Sequence, residues 1–155
     1  MGVSGCGKST VAEALAQRTG GKYLDADAYH PPANVAKMSA GIPLTDEDRT
    51  GWLQTLAQLL KDCAQQGQTV FMACSALKED YRRVLRVNPQ VRFVYLKGGY
   101  AQIAARLQQR SGHFMKAELL RSQFAALEEP TDAITISIEG DRESIVAQAL
   151  AGLGL

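Results

Sequence analysis

The start of the chain contains the feature that most restricts its fold, the segment Gly2-Val3-Ser4-Gly5-Cys6-Gly7-Lys8-Ser9. It matches G-x-x-x-x-G-K-[ST] at every fixed position, which is the pattern of a phosphate-binding loop. Glycines permit backbone angles that side chains block, so successive amides can turn inward around a phosphate. The sequence therefore predicts an ATP or GTP site formed by this loop and the adjoining Thr10.

Two side chains of the loop have separate expected tasks. Lys8 reaches the outer phosphates and belongs to the catalytic machinery, and the Ser9 hydroxyl suits Mg²⁺. The helix that follows presents its positive end to the anion. Glycine-rich turns before helices are common, but Lys-Ser in place and a helical pattern after it favour phosphate binding.

The segment before the loop is unusually short for this architecture, in which the loop follows a buried parallel strand. Only Met1 precedes Gly2, whereas a strand needs about five residues to pair. We therefore expect the sheet to lack its first strand. We also expect protein made from Met1 to be insoluble or unable to bind ATP, and an apolar extension before Met1 to raise stability and activity.

The composition predicts one globular domain over residues 1–155, with 46% apolar and 21% charged residues. A net charge of +1 argues against nucleic acid or a membrane surface as a partner. Three scattered cysteines without metal-ligand spacing indicate free thiols in a reducing compartment. No apolar run approaches the ~20 residues of a membrane span, and no signal peptide is present, so we expect a cytoplasmic protein.

Apolar runs predict strands at 22–25, 69–74, 91–96 and 133–138, and the 69–74 run is typical of a strand buried on both faces. Helical patterns lie between them, one beginning at a capping box from Thr45 to Asp48. Strands that alternate with helices imply an α/β fold with a parallel sheet covered on both faces.

Reactive groups follow the predicted strands, where ligands gather in such a sheet. Asp27 is the preferred carboxylate to accept a proton from an attacking hydroxyl or to hold a magnesium-bound water, while Asp25 is the candidate for a turn or cap. Lys78, in the segment 75–78, either faces an anionic substrate or is a solvated lysine at a helix start.

Arg106 and Arg110 lie one turn apart on a predicted helix face. They are either solvated or part of an arginine-bearing lid that covers the nucleotide and neutralises the transferring phosphoryl group. The two histidines, His30 and His113, have no partner at metal-ligand spacing, which argues against a metal–histidine site.

Longer segments of the chain resemble the gluconokinase family. The matching residues are Leu24-Asp25-Ala26-Asp27-Ala28-Tyr29-His30-Pro31, Asn34, Lys37-Met38, Gly41-Ile42-Pro43-Leu44, Asp46-Glu47-Asp48-Arg49, Trp52-Leu53, Cys74-Ser75-Ala76-Leu77-Lys78, Tyr81-Arg82, Gly112-His113-Phe114, Gln123-Phe124 and Leu127-Glu128. The resemblance covers essentially the whole chain, and the loop alone would not separate this family from shikimate or nucleoside monophosphate kinases.

The resemblance implies transfer of the ATP γ-phosphoryl group to the 6-hydroxyl of D-gluconate, with Mg²⁺. It implies a phosphate-binding-loop fold with a five-stranded parallel sheet in order 2-3-1-4-5, the first strand absent here, and a lid at about 106–123. By matching position, Asp27 orients the hydroxyl, and Arg106 and Arg110 serve ATP. The gluconate site would contain His30, Arg49, Lys78, His113 and Gln123.

Two other functions stay open at this stage. One is a related small-molecule kinase of the shikimate type, and the other is a nucleotide-binding protein without catalysis. The resemblance leaves the oligomeric state undecided, with a homodimer as one candidate.

Overall fold

The computed structural model describes residues 1–109 and 117–155, which form alternating strands and helices. The helices are α1 (Lys8–Thr19), α2 (Pro32–Ser39), α3 (Asp46–Gln65), α4 (Glu79–Leu85), α5 (Tyr100–Gln109), α6 (Ala117–Ala126) and α7 (Arg142–Leu153). The strands are β1 (Lys22–Asp25), β2 (Val70–Ala73), β3 (Val94–Lys97) and β4 (Ile134–Ser137). A 3-10 turn, Ala26–Tyr29, follows β1. The α/β alternation predicted from the sequence is present.

The ends of the helices follow the local sequence signals. The Thr45 hydroxyl accepts a hydrogen bond from the Asp48 amide at 3.1 Å, and the Asp48 carboxylate accepts one from the Thr45 amide at 2.9 Å. This reciprocal pair is the predicted capping box, and it fixes where α3 begins. At the other end of the first helix, Gly20 adopts the left-handed conformation that ends α1.

The strands form two separate parallel pairs instead of one sheet. In the first pair β1 lies beside β2, with Lys22 opposite Val70 and Asp25 opposite Ala73. In the second pair β3 lies beside β4. Each pair joins neighbours of the predicted order 2-3-1-4-5, but within residues 1–109 and 117–155 no strand joins β2 to β3. The single five-stranded sheet is therefore not observed.

The backbone of Met1 and Gly2 lies between the two pairs. The Met1 amino group donates to the Val94 carbonyl at 2.5 Å, and the Met1 carbonyl accepts from the Leu96 amide at 3.0 Å. On the other side, the Gly2 amide donates to the Ser75 carbonyl at 3.2 Å. These two residues connect β3 to the segment after β2 over a length too short to count as a strand.

A cavity of about 670 Å³, here called the intersheet cleft, separates β2 from β3. Val70, Phe71 and Met72 line it and are only half-buried. The expectation that β2 is buried on both faces is therefore wrong for these residues, because no neighbouring strand covers this edge of β2.

The two strand pairs rest on two hydrophobic clusters. One cluster contains Leu15 of α1, Ile103 of α5 and Val146 of α7, packed with residues of β3 and β4. The other joins α3 and α4 to the 3-10 turn, where the buried Trp52 indole donates to the Ala26 carbonyl at 2.7 Å. The second cluster thus fixes the turn that carries Asp27.

Two further findings bear on the expectations from composition. No helix in the described part of the chain has the length and apolar character needed to cross a bilayer. Cys6, Cys63 and Cys74 are all buried free thiols, as predicted, and burial raises the pKa of Cys74 to about 11.

Candidate active site

The loop from Gly2 to Gly7 adopts the glycine-dependent conformation that a phosphate cradle requires. Gly2, Gly5 and Gly7 have φ angles of 146°, 84° and 98°. A Cβ at Gly2 would lie 2.7 Å from the Cys6 Sγ, and one at Gly5 would lie 2.9 Å from Leu107 of α5. These two positions therefore exclude side chains both by backbone angle and by space.

Lys8 is the first residue of α1 and bends back over the loop. Its ammonium donates a hydrogen bond to the Val3 carbonyl at 3.0 Å. Gly7 caps the helix without a side-chain hydrogen bond, so no side chain competes for the amides of the first turn. Val3 and Cys6 are buried, so the polar groups of the loop are its backbone amides, the Ser4 hydroxyl and the ammonium of the adjoining Lys8. Ser9 and Thr10 lie exposed in the same first turn.

Gln123 of α6 is bound to this loop. Its side-chain oxygen accepts from the Ser4 amide at 2.7 Å, and its amide nitrogen donates to the Ser4 hydroxyl at 3.2 Å. The gluconokinase resemblance placed Gln123 in the sugar-acid site. The observed contacts attach it to the phosphate-binding loop, at a point where it also reaches the cavity described next.

A cavity of about 780 Å³, here called the polar cavity, extends from the loop to α2 and α3. Its wall includes most of the residues predicted for catalysis and substrate binding, namely Lys8, Asp27, His30, Arg49, Lys78 and Gln123. Leu119, Ser122 and Gln123 of α6, which lies in the expected lid region, also line it. Residues far apart in the sequence thus converge on one space.

Asp27 and Asp25 differ in what they contact. The Asp25 carboxylate accepts from the Asp27 amide at 3.0 Å and caps the 3-10 turn, and Asp25 is not among the residues that line the polar cavity. Asp27 lines the cavity, and its side chain is 71% exposed. The structure therefore separates a capping aspartate from one that is available to a ligand.

The His30 side chain is nearly buried and lies beside the exposed side chain of Asp27. Its ring stacks on Trp52 with centroids 4.2 Å apart, and its Nε2 lies 3.8 Å from Asp27 Oδ1. Burial lowers the pKa of His30, an effect that the nearby Asp27 opposes and Arg49 reinforces. Burial thus favours the uncharged form of the ring.

Arg49 and Lys78 meet at a tyrosine–aspartate pair. The Arg49 Nη1 donates to the Leu44 carbonyl at 2.8 Å and to the Tyr81 hydroxyl at 3.1 Å. Tyr81 donates to Asp46, and Lys78 donates to the same carboxylate at 2.9 Å. The hydrogen bond from Tyr81, followed by that from Lys78, lowers the pKa of Asp46, and Asp46 in turn raises the pKa of Lys78. Asp46 thus offsets part of the positive charge here.

The segment 75–78 is held in place by a buried arginine. Ala76 has a φ of 46°, an uncommon conformation for a residue with a side chain. Arg82, 1% exposed, donates to the Ala76 carbonyl and to the Glu128 carbonyl, both at 2.8 Å. The Leu77 carbonyl also accepts from the Glu128 amide at 2.8 Å. These bonds connect the segment that carries Lys78 to the chain just after α6.

Outside the phosphate-binding loop and the first turn of α1, three expected site residues are not placed in the polar cavity. Arg106 donates to the Ile138 carbonyl at 2.7 Å and so attaches α5 to the end of β4. Arg110 and His113 lie outside the residues that the structure describes.

Three groups of the site were given no role from the sequence: Asp46, Tyr81 and Trp52. All three are among the residues that match the gluconokinase family, but the sequence otherwise shows Asp46 only as an acidic residue in the first turn of a helix, where acids are common. It shows Tyr81 and Trp52 as apolar positions of helices. Their contacts with Lys78, Arg49 and His30 depend on the packing of α3 against α4 and against the 3-10 turn, which no local pattern reports.

Comparisons with known proteins agree with one another. The family model for shikimate kinase matches residues 4–151. The chain is 44% identical over 153 residues to the thermosensitive gluconokinase of Escherichia coli K12, covering 96% of this chain and 82% of that protein. It is 47% identical over 144 residues to the gluconokinase of Gluconobacter oxydans 621H, covering 92% and 81%.

A solved structure of a gluconokinase from Sinorhizobium meliloti 1021 is similar over nearly the whole chain. It superposes with a TM-score of 0.91 at 43% identity, covering 99% of this chain and 89% of that one. The resemblance noted in the sequence therefore extends to the three-dimensional fold.

Proposed function

The chain belongs to the gluconokinases, within the shikimate-kinase-like family of phosphate-binding-loop kinases, and we propose that it transfers the γ-phosphoryl group of ATP to D-gluconate. The product is 6-phospho-D-gluconate. One observation carries the assignment of roles: Lys8 of the loop shares the polar cavity with Asp27, His30, Arg49 and Lys78. A donor phosphate and a sugar acid could therefore meet in that space.

ATP would bind with its phosphates on the loop amides and the Lys8 ammonium. Ser9 fits the expected Mg²⁺, because it presents a hard hydroxyl oxygen in the first turn of α1, beside the site for the phosphates. The described residues contain no group of three or more histidine, cysteine or acidic side chains that could hold a metal. Ser9, phosphate oxygens and water are thus the expected ligands, and the ion would supply charge neutralisation.

Asp27 would accept the proton of the attacking hydroxyl. Its carboxylate lines the cavity and is not used as a turn cap, in contrast to Asp25. A positioned carboxylate of this kind contributes about 10²- to 10⁴-fold to a proton-transfer step. Phosphoryl transfer requires little covalent chemistry from the protein, so the larger effect of Asp27 is to orient the attacking hydroxyl.

The substrate carboxylate would bind at Arg49 and Lys78. Arg49 uses Nη1 for Leu44 and Tyr81, and the described residues provide no partner for its Nη2 or Nε. Two guanidinium nitrogens therefore remain for an anion, and Tyr81 holds the group in position. Arg106 and Arg110 retain their proposed role with ATP, and His113 its role with gluconate, while Gln123 would act mainly through the phosphate-binding loop to which it is bonded.

The family match also supports a role in ATP-dependent metabolism. The buried free thiols support the cytoplasm as the compartment in which the protein works.

A coupled ADP-release assay with gluconate, other sugar acids, glucose and shikimate tests this function. We expect turnover with gluconate and a kcat/KM for glucose at least ~10²-fold lower, because glucose would leave the cationic groups unpaired. Comparable values for the two sugars would contradict the role of Arg49 and Lys78. Faster turnover of shikimate would favour the related kinase, and ATP binding without turnover of any acceptor would favour the non-catalytic alternative.

A further inference from the structure

Among the described residues, Asn34 and Arg82 are polar residues that are buried as a whole, backbone and side chain together. Arg82 is explained by its bonds to the backbone of the segments it joins. Asn34, on α2 and 3% exposed, has no part in the function proposed above. A buried amide needs partners for its donors and its acceptor, so its contacts indicate what it does.

The orientation of the Asn34 amide is fixed by a backbone carbonyl. Its Nδ2 lies 2.9 Å from the Asp48 carbonyl oxygen. A carbonyl can only accept a hydrogen bond, so the group that faces it must be the NH₂ end of the amide. Asp48 is itself held by the capping box and by Lys37, whose ammonium lies 2.8 Å from its carboxylate. The position of Asn34 Nδ2 is therefore well determined.

The same nitrogen decides where His30 carries its proton. Asn34 Nδ2 lies 3.2 Å from the His30 Nδ1. An NH₂ group has two hydrogens and no acceptor, so one hydrogen serves Asp48 and the other faces Nδ1. Nδ1 must then accept, and the neutral ring carries its proton on Nε2.

The Nε2 atom faces the candidate base. It lies 3.8 Å from Asp27 Oδ1, and the stack on Trp52 keeps the ring from rotating out of this position. The groups around the ring are Asp27 on the 3-10 turn, Asn34 on α2, and Arg49 and Trp52 on α3. The His30 side chain is 4% exposed, so water does not readily replace these contacts.

We propose that Asn34 is a positioning residue that fixes the tautomer of His30, with the Nε2 proton directed towards Asp27 and the acceptor site. This role rests on the proposed function, because it matters only where Asp27 orients a substrate hydroxyl. An Nε2–H donor can orient the Asp27 carboxylate or donate to a substrate oxygen, but it cannot take the proton of the hydroxyl. Asn34 thereby reserves the role of proton acceptor for Asp27.

A direct test is the tautomer of His30 in the wild-type protein, measured by long-range ¹H–¹⁵N correlation at about pH 8 with ¹⁵N-labelled histidine. The chain has two histidines, so a His30→Gln variant assigns the signals. We expect the Nε2-protonated tautomer. A proton on Nδ1 would overturn the proposal, whatever the enzyme phosphorylates, so this result is separate from the ADP-release assay.

The Asn34→Asp variant tests the functional consequence. A carboxylate at position 34 accepts from Nδ1–H, so at a pH where the ¹⁵N shifts show a neutral ring we expect the proton on Nδ1 and a kcat with gluconate about tenfold lower, while KM for ATP stays unchanged. Asn88→Asp is the matched control, because Asn88 uses only its side-chain oxygen, as acceptor from the Gln90 amide at 2.8 Å. A shifted tautomer with wild-type kcat would overturn the positioning role.

Discussion

The polar cavity and the intersheet cleft have similar volumes, about 780 and 670 Å³, but differ in the charged side chains that line them. The polar cavity brings together charged side chains from the loop, the 3-10 turn, α3 and the segment before α4. The cleft is bordered by two strand edges and by apolar side chains such as Val70, Phe71 and Met72. Lys8 is a residue that lines both.

The difference indicates that the polar cavity serves binding and catalysis, whereas the intersheet cleft concerns the packing of the strands. Changes to the charged side chains of the polar cavity, such as Asp27 and Lys78, should alter turnover or substrate affinity and leave folding nearly unchanged, since these side chains are partly solvated. Changes in the cleft should alter stability and leave substrate preference unchanged, because the cleft holds unpaired strand edges and little charge. Four experiments test this separation, in order of decreasing effect.

The largest effect is expected for Lys8→Ala. Lys8 would contact the transferring phosphoryl group, and its contribution grows as charge develops, so turnover should fall by about 10³-fold or more. The melting temperature should change little, because the lost bond is one contact with the Val3 carbonyl. Lys61→Ala, on an exposed position of α3, is the control. Wild-type turnover in Lys8→Ala would refute the phosphate-binding assignment.

The next effect is expected for Asp27→Asn. We expect ATP affinity to remain within a few-fold and kcat to fall by about 10²-fold. Asp25→Asn is the matched control, since asparagine can still accept the Asp27 amide as a turn cap, and its effect on kcat should be smaller. The reverse order of the two variants would show that Asp25, not Asp27, serves the reaction.

Filling the intersheet cleft should have a moderate effect on stability and no effect on substrate preference. An added stretch of five valine and isoleucine residues before Met1 can pair with β2 and β3 and bury their apolar side chains. Because Met1 and Gly2 already connect the two strand pairs, we now expect protein made from Met1 to fold and bind ATP, and the extension to raise its melting temperature by about 5 °C with the preference for gluconate over glucose unchanged. A glycine–serine extension of equal length should give no rise. Equal gains from both extensions would contradict strand pairing in the cleft.

The smallest effect is expected for Gln123→Ala. Because Gln123 bonds Ser4 of the loop, its loss should raise KM for ATP about fivefold, the scale of one or two neutral hydrogen bonds. KM for gluconate should change less. If KM for gluconate changes more, the original placement of Gln123 in the sugar-acid site is the better description.

The sequence predicted the structure well at positions where the residue type has only a few possible structural or chemical roles. Lys8 and the loop glycines were predicted from their spacing, and the capping box at Thr45 was confirmed. The tasks of Asn34, Asp46 and Arg82 could not be predicted, because each depends on a partner that is close only in the folded chain, such as Lys78 for Asp46. Full burial of β2 was wrong because burial depends on a neighbouring strand, which a local apolar run does not report.

The identity of the phosphorylated product tests the proposed reaction most directly. After incubation of the protein with ATP, Mg²⁺ and D-gluconate, a proton-coupled ³¹P spectrum shows which hydroxyl carries the new ester. We expect a triplet or a doublet of doublets, because a phosphate on the primary 6-hydroxyl couples to the two protons of C6. A doublet would place the phosphate on a secondary hydroxyl, and the absence of any sugar phosphate would contradict gluconate phosphorylation itself.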